Sequence, residues 1–315
     1  MSTSTQDRWS PSPLQRAAYA TLGDRLRASL PRDESSAVDR AGFAAEFYDN
    51  LLPHLSCEQA GWITTQLEHG DGGELDERSR GRRPKAHAAH SSAALAGNTF
   101  AGFHGNVGDL VLGGLTGFGT MRLEAQHHPL APAAEDRRPA NLDVELTGPG
   151  IVVGVESKLT EHLAPHGADR WRWEYRRTDT LAPLPEPWRD AIRRRATGPA
   201  VETFLGAQQL LKHALALSRA ARAGAFGRDP VDLHLVYLYW EPADGDAIDE
   251  VRRHRAEVAA FAEEVAGDGL RFRALTHREL WEAWEGDSDA PAWLARHVAQ
   301  LRQRYDVAVG VGPAS

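Results

Sequence analysis

Residues 141–162 read NLDVELTGPGIVVGVESKLTEH, and the rest of the chain is placed here relative to the hairpin they predict. Leu142, Val144 and Leu146 alternate with Asn141, Asp143, Glu145 and Thr147, the period of two that marks a strand. Thr147-Gly148-Pro149-Gly150 is turn chemistry, because glycine accepts positive φ and proline holds φ at about −65°. The second run alternates as well. Ile151, Val153 and Val155 point one way; Val152, Gly154, Glu156 and Lys158 point the other.

That geometry sets Glu156 and Lys158 side by side on one face, and the hairpin can bring Asp143 to them from the partner strand. Two carboxylates and an ammonium converging on a sheet, with Gly154 leaving room beside them, suit metal-dependent phosphodiester hydrolysis. Carboxylate oxygens hold a hard divalent cation, Mg²⁺ or Mn²⁺. Such a cation polarises phosphate and acidifies a bound water, and a lysine places that water and offsets charge growing in the transition state. The alternative is an exposed strand face on which Glu-x-Lys is an ordinary ion pair. Composition favours the first reading: of 36 Lys plus Arg only three are lysine, Lys85, Lys158 and Lys212. Only lysine offers a compact ammonium of adjustable pKa.

The chain has 315 residues, 42% hydrophobic and 25% charged, which suits one large decorated domain or two smaller ones. No apolar run approaches the roughly 20 residues of a membrane span, and the opening MSTSTQDRWSPSP reads as a disordered lead-in over 1–13 without a signal pattern. The single cysteine, Cys57, excludes an internal disulfide framework and a cysteine-based zinc site, and a cytoplasmic setting is the simplest expectation. The net charge of −8 means that any nucleic-acid contact must come from local basic patches.

An N-terminal helical section is expected over 14–70. Leu14, Leu22, Leu26 and Leu30 keep helical spacing, a second helix is expected over 38–52, and Ser56-Cys57-Glu58-Gln59 fits a capping box for a third that Gly70 ends. Residues 71–89 read as a linker or mobile loop whose Arg78, Arg80, Arg82, Arg83 and Lys85 could meet phosphates. A short helix follows at 90–103. Met121 to His127 is a candidate strand carrying Glu124, a third acidic ligand beside Asp143; His127 and His128 lack any partner at zinc spacing.

Downstream, residues 164–199 interleave Arg170, Arg172, Arg176, Arg177 and Arg189 with Trp171, Trp173, Tyr175 and Trp188. Arginines there could pair with phosphates and aromatics could stack on bases; equally, the tryptophans could pack on the core. A helix is predicted over 202–223, opened by Pro199, with Gln209 and Lys212 projecting together toward the site. Val231 to Trp240 suits a central strand. A helix over 246–267, a strand over 270–275 and helices over 276–286 and 290–305 follow, with a frayed tail after Tyr305.

Asp143 and, thirteen positions later, Glu156-Ser157-Lys158 match the D…ExK signature of the PD-(D/E)XK nuclease superfamily. HSSAALAGNTF at 90–100, LEAQHHP at 123–129, NLD at 141–143 and GVESKLTEHL at 154–163 resemble, in that order, a branch of bacterial restriction endonucleases within it. The similarity spans roughly residues 90–280, and the proline of the superfamily name is absent before Asp143. It implies a restriction-endonuclease-like α/β core over 90–305, a mixed sheet flanked by helices. It also implies Asp143 and Glu156 as metal ligands and Lys158 as catalytic lysine, with water attacking phosphorus and a 3′-oxygen leaving. Glu124 and Gln209 are supporting residues, and Arg170, Arg172, Arg176, Arg177 and Lys212 are candidate nucleic-acid contacts. DNA is then the expected partner, together with a second copy of the chain on symmetry grounds and a cognate methyltransferase. A non-catalytic nucleic-acid-binding protein, a scaffold and an RNA nuclease are the rival readings.

Overall fold

The hairpin forms: β2 (Ala140–Gly148) and β3 (Ile151–Lys158) pair antiparallel, closed at Gly148↔Ile151. A computed structural model describes residues 10–31, 37–70, 73–76, 83–130, 139–167 and 171–310. The other elements are α1 (Pro13–Ser29), α2 (Cys57–His69), α3 (Ser92–Phe100), β1 (Thr120–His127), α4 (Thr178–Leu181), α5 (Glu186–Thr197), α6 (Ala207–Arg222), β4 (Asp232–Tyr239), α7 (Asp249–Glu264), β5 (Leu270–Thr276), α8 (His277–Gly286) and α9 (Ala292–Tyr305). The expected lead-in falls mostly on residues 1–9, outside the described residues.

The strands lie in sequence order, β1-β2-β3-β4-β5. The first three are antiparallel; β3–β4 and β4–β5 are parallel. This is the mixed α/β sheet expected, and alternation along β3 separates two cores. Val153 and Val155 face a cluster built with α1, α2, α3, α8 and α9; Val152 faces one built with α5, α6 and α7. Leu235 to Tyr239 of β4 are all buried, as a strand covered on both faces requires. Among the described residues no helix is long and apolar enough to cross a membrane.

Ser56 caps α2 through the expected box with Gln59, and α1 buries Leu14, Leu22 and Leu26. The helix expected over 38–52 does not form. Asp39 Oδ1 accepts from the backbone of Ala41 and Phe43 (both 2.9 Å), Gly42 sits at φ +83°, and only Phe47–Asn50 makes a short 3₁₀ turn. An aspartate that bonds its own turn competes with helix. Nor do residues 306–310 fray: Val307 is buried, its carbonyl accepts from Ala243 N (2.7 Å), and Asp244 Oδ1 accepts from Val309 N (2.9 Å); the rest of the expected frayed tail lies outside the described residues.

A candidate active site where two strands part

The ladder between β2 and β3 stops at Val144↔Val155, although both strands continue beside other neighbours. At that point Asp143 replaces a backbone partner: its Oδ2 accepts from Ser157 N at 2.6 Å. The strands separate there, and a cleft of about 810 Å³ opens, lined by Glu124, Asn141, Asp143, Lys158 and Gln209 among others. On the far side of β2, Glu124 stands opposite Asp143, between the pairs Leu123↔Val144 and Ala125↔Leu142. Glu124 has φ +51°, which no other non-glycine residue shares among the described residues. A conformation of that kind costs on the order of 1–3 kcal/mol and persists only where its surroundings impose it. The end of α2 does so. Gln66 Oε1 accepts from Leu123 N (3.1 Å), and a Cβ on Gly70 would lie 2.6 Å from the Glu124 Cβ.

Glu156 is buried beneath this cleft. One carboxylate oxygen is paired with Lys158 Nζ and the other lies 2.8 Å from His213 Nε2, which α6 brings over the sheet. Burial would raise the Glu156 carboxyl, but Lys158 and His213 outweigh it and hold the group below its ordinary value, as carboxylate. Burial would likewise lower Lys158, and Glu156, Glu161 and Asp143 reverse that, keeping it cationic. Asp143 is pushed well up, by burial first and by Glu156 next. Glu124 is pushed up to about 7 by burial and by Glu74 and Glu156. The floor of the cleft thus has a surplus of carboxylate over cation. Among the described residues no three His, Cys, Asp or Glu side chains are grouped to hold a metal ion as they stand. Glu156 is instead engaged by Lys158 and His213.

A family model described as Restriction Endonuclease associating with ARP matches residues 32–306. The chain belongs to this family. Its function is accordingly of the nuclease type. No curated protein and no solved structure matches.

In this member of the family, Glu124, Asp143, Lys158 and Gln209 line one cleft, and Glu156 is buried beside Lys158. Other expectations are revised. The helix bearing Gln209 begins at Ala207, not Glu202, because Glu257 Oε2 accepts from Phe204 N (2.7 Å) and Leu205 N (2.8 Å) and holds that stretch extended. Lys212 does not project with Gln209 into the cleft; its ammonium lies 5.7 Å from the Tyr175 ring centre. Trp188 and Tyr175 are core residues, and Trp188 donates to Leu270 O (3.0 Å). Arg172, Arg176 and Arg177 are exposed. Arg170, Arg78, Arg80 and Arg82 lie outside the described residues. Arg83 and Lys85 do line the cleft, where Lys85 pairs with Glu74 (2.8 Å) and Arg83 with Asp39 (3.6 Å). His127 pairs with the buried Glu145.

Sequence reasoning missed three polar neighbours of the site, Glu74, Glu161 and His213. Glu74 comes from the polar loop and Glu161 from the turn after β3, where its Oε2 accepts from Leu159 N and Thr160 N (both 2.9 Å). His213 follows Gln209 by one helical turn, the only signal that could have flagged it. His90, Ser91 and Ser92, from the HSS stretch, line the opposite wall, with His90 stacked on Tyr19 at 3.6 Å.

Proposed function

We propose that this chain is a divalent-metal-dependent DNA endonuclease of the PD-(D/E)XK kind. The observation that carries the reading is the cleft at the parting of β2 and β3. There Asp143 and Glu124 are raised by burial and by neighbouring carboxylates, and a cationic Lys158 stands beside them.

The donor set fits a hard cation. Crowded carboxylates raised by mutual repulsion are relieved by one, and Mg²⁺ is commonly held by one or two carboxylates with water completing its shell. Asp143 and Glu124 would hold Mg²⁺ or Mn²⁺. Glu156 would join them by leaving His213, and the Ser157 carbonyl is a further donor. When bound, the ion supplies charge to the phosphate and lowers the pKa of water.

The chain's own residues do the rest. Lys158 stays protonated, so it acts as a cationic donor toward the attacking water or a phosphate oxygen and not as a proton acceptor. Gln209, exposed at the first turn of α6, can orient water through its amide. Water attacks phosphorus as the 3′-oxygen leaves. Duplex cleavage needs two such sites, which a homodimer would provide, and a methyltransferase would protect the cell's own DNA.

Incubating the purified protein with modified and unmodified genomic DNA, with and without Mg²⁺, tests substrate and metal together. Cleavage should require the metal, and Lys158→Ala should cut slower by about 10²–10⁴ while still binding DNA. Full cleavage by that variant would remove the lysine from the mechanism.

A further inference from the structure

A second hollow of about 640 Å³ shares no lining residue with the cleft, yet lies just around the start of α6: Ala207 lines it, and Gln209, two residues on, lines the cleft. One wall is the stripe Glu257, Ala260, Phe261 and Glu264 of α7; the other is the end of α5 and the loop to α6. The walls are largely apolar, and Val201 stands 62% exposed at the edge. The polar groups are few. Arg194 and Arg195 both pair with the one carboxylate of Glu264 (2.8 and 2.6 Å), which leaves one net positive charge, and Glu257 is occupied by the backbone of Phe204 and Leu205. One group remains open to an occupant, the exposed Arg176, which makes no ion pair among the described residues. The Trp171 Nε1–H, in the wall, is buried without a hydrogen-bond acceptor among them and would reach an occupant by a turn of its ring.

Two residues from Trp171, the indole of Trp173 is 61% exposed, with the Arg177 guanidinium 5.4 Å from its centre. A large aromatic left in water is unusual for a core-forming residue.

From this juxtaposition we infer that the hollow is a nucleobase pocket. It receives one base extruded from the duplex held in the cleft, and Trp173 fills the stack that the base leaves. The inference rests on the DNA-nuclease reading above. A largely apolar hollow with an unsatisfied indole donor in its wall and an arginine at its mouth suits the faces, edge and phosphate of a single nucleotide. An aromatic that enters a base step is the known physical means of keeping the gap open. An apolar peptide side chain would leave the indole N–H without a partner, which costs free energy.

The test uses full-length protein in metal-free, low-salt buffer and a duplex carrying one 2-aminopurine, mispaired or correctly paired. With the natural protein, emission should rise on binding as the base leaves the stack. The mispaired duplex should bind tighter by about tenfold, because its unpairing cost is already partly met. Val201→Trp fills the pocket mouth from an exposed position, and Trp173→Ala removes the wedge. Both should still bind duplex and lose the emission rise. Binding without any rise, or a rise that persists in Val201→Trp, overturns the pocket and leaves the nuclease reading intact if plasmid is still cut. Absence of both duplex binding and plasmid cleavage overturns the two together.

Discussion

At Glu124 the sheet gives up a comfortable backbone for a placed carboxylate. Its φ of +51° is held by α2, whose Gly70 leaves room that a methyl group would take from the Glu124 Cβ. Gly70 itself has φ −76°, which any residue accepts. Gly70→Ala should therefore leave the local backbone of α2 undisturbed and displace Glu124. If Glu124 serves the site, metal-dependent cleavage should fall by about tenfold or more, since displacements near 1 Å cost that order, and the melting temperature should fall as well, because the blocked atom is a Cβ fixed to the strand backbone. Unchanged cleavage at every Mg²⁺ concentration would detach Glu124 from the chemistry. Residues of this kind were only partly legible. Asp143, Glu156 and Lys158 could be read because strand period and a short motif fix them on adjacent strands. Glu74, Glu161 and His213 could not, because they reach the same place from a loop, a turn and a helix whose spacing in sequence carries no repeated pattern.

Among the elements, β3 and α6 define how closely helix and sheet approach. A Cβ on Gly154 would stand 2.7 Å from Leu217 Cδ1 and 2.9 Å from Leu142 Cδ1. The room that the sequence suggested beside the site is thus filled by core side chains. Gly154→Ala should destabilise by about 1–3 kcal/mol through overpacking. Gly61→Ala, inside α2 with nothing within 4 Å of the added methyl, should stabilise by about 0.5–1 kcal/mol. Urea midpoints measure both; a Gly154→Ala midpoint at or above the natural one would contradict the packing. Element types were legible wherever periodicity was sustained, as in the five strands and α1, α7 and α9. Boundaries were lost where a distant side chain intervened. Glu257, on α7, captures two amides and delays α6 by a turn, and Asp39 with Gly42 turns a helical pattern into bends.

For the whole molecule, the first and last helices share one core, which no local pattern could show. Asn98 of α3 accepts from Leu52 N (2.8 Å) and donates to Asn50 O (3.0 Å) and the Tyr305 hydroxyl (2.8 Å); buried Arg304 donates to Leu22 O (2.9 Å). That shared core also encloses histidines. Burial is the main cause lowering His90 and His297 to about 4, His162 and His277 to about 3, and His254 to about 2, from 6.5. Each is neutral when folded and takes a proton readily only when unfolded. Between 6.5 and those lower values the unfolded chain therefore binds more protons, so the contribution of these groups is complete above 6.5 and is lost as pH falls. Each loses about 1.4 kcal/mol per pH unit there, against a typical total margin of about 5–15 kcal/mol. Glu124, raised to about 7, acts in the opposite sense between 7 and 4.5, and Asp143, raised well above its ordinary 3.8, acts in that sense too, but they are two against five. The melting temperature should accordingly be flat above about pH 7 and drop below about pH 6. Thermal melts followed by tryptophan emission across that range check it. Replacing His297 with Gln should shallow the acid limb, and a melting temperature that stays level to pH 5 would mean that these imidazoles are reached by solvent protons in the native fold.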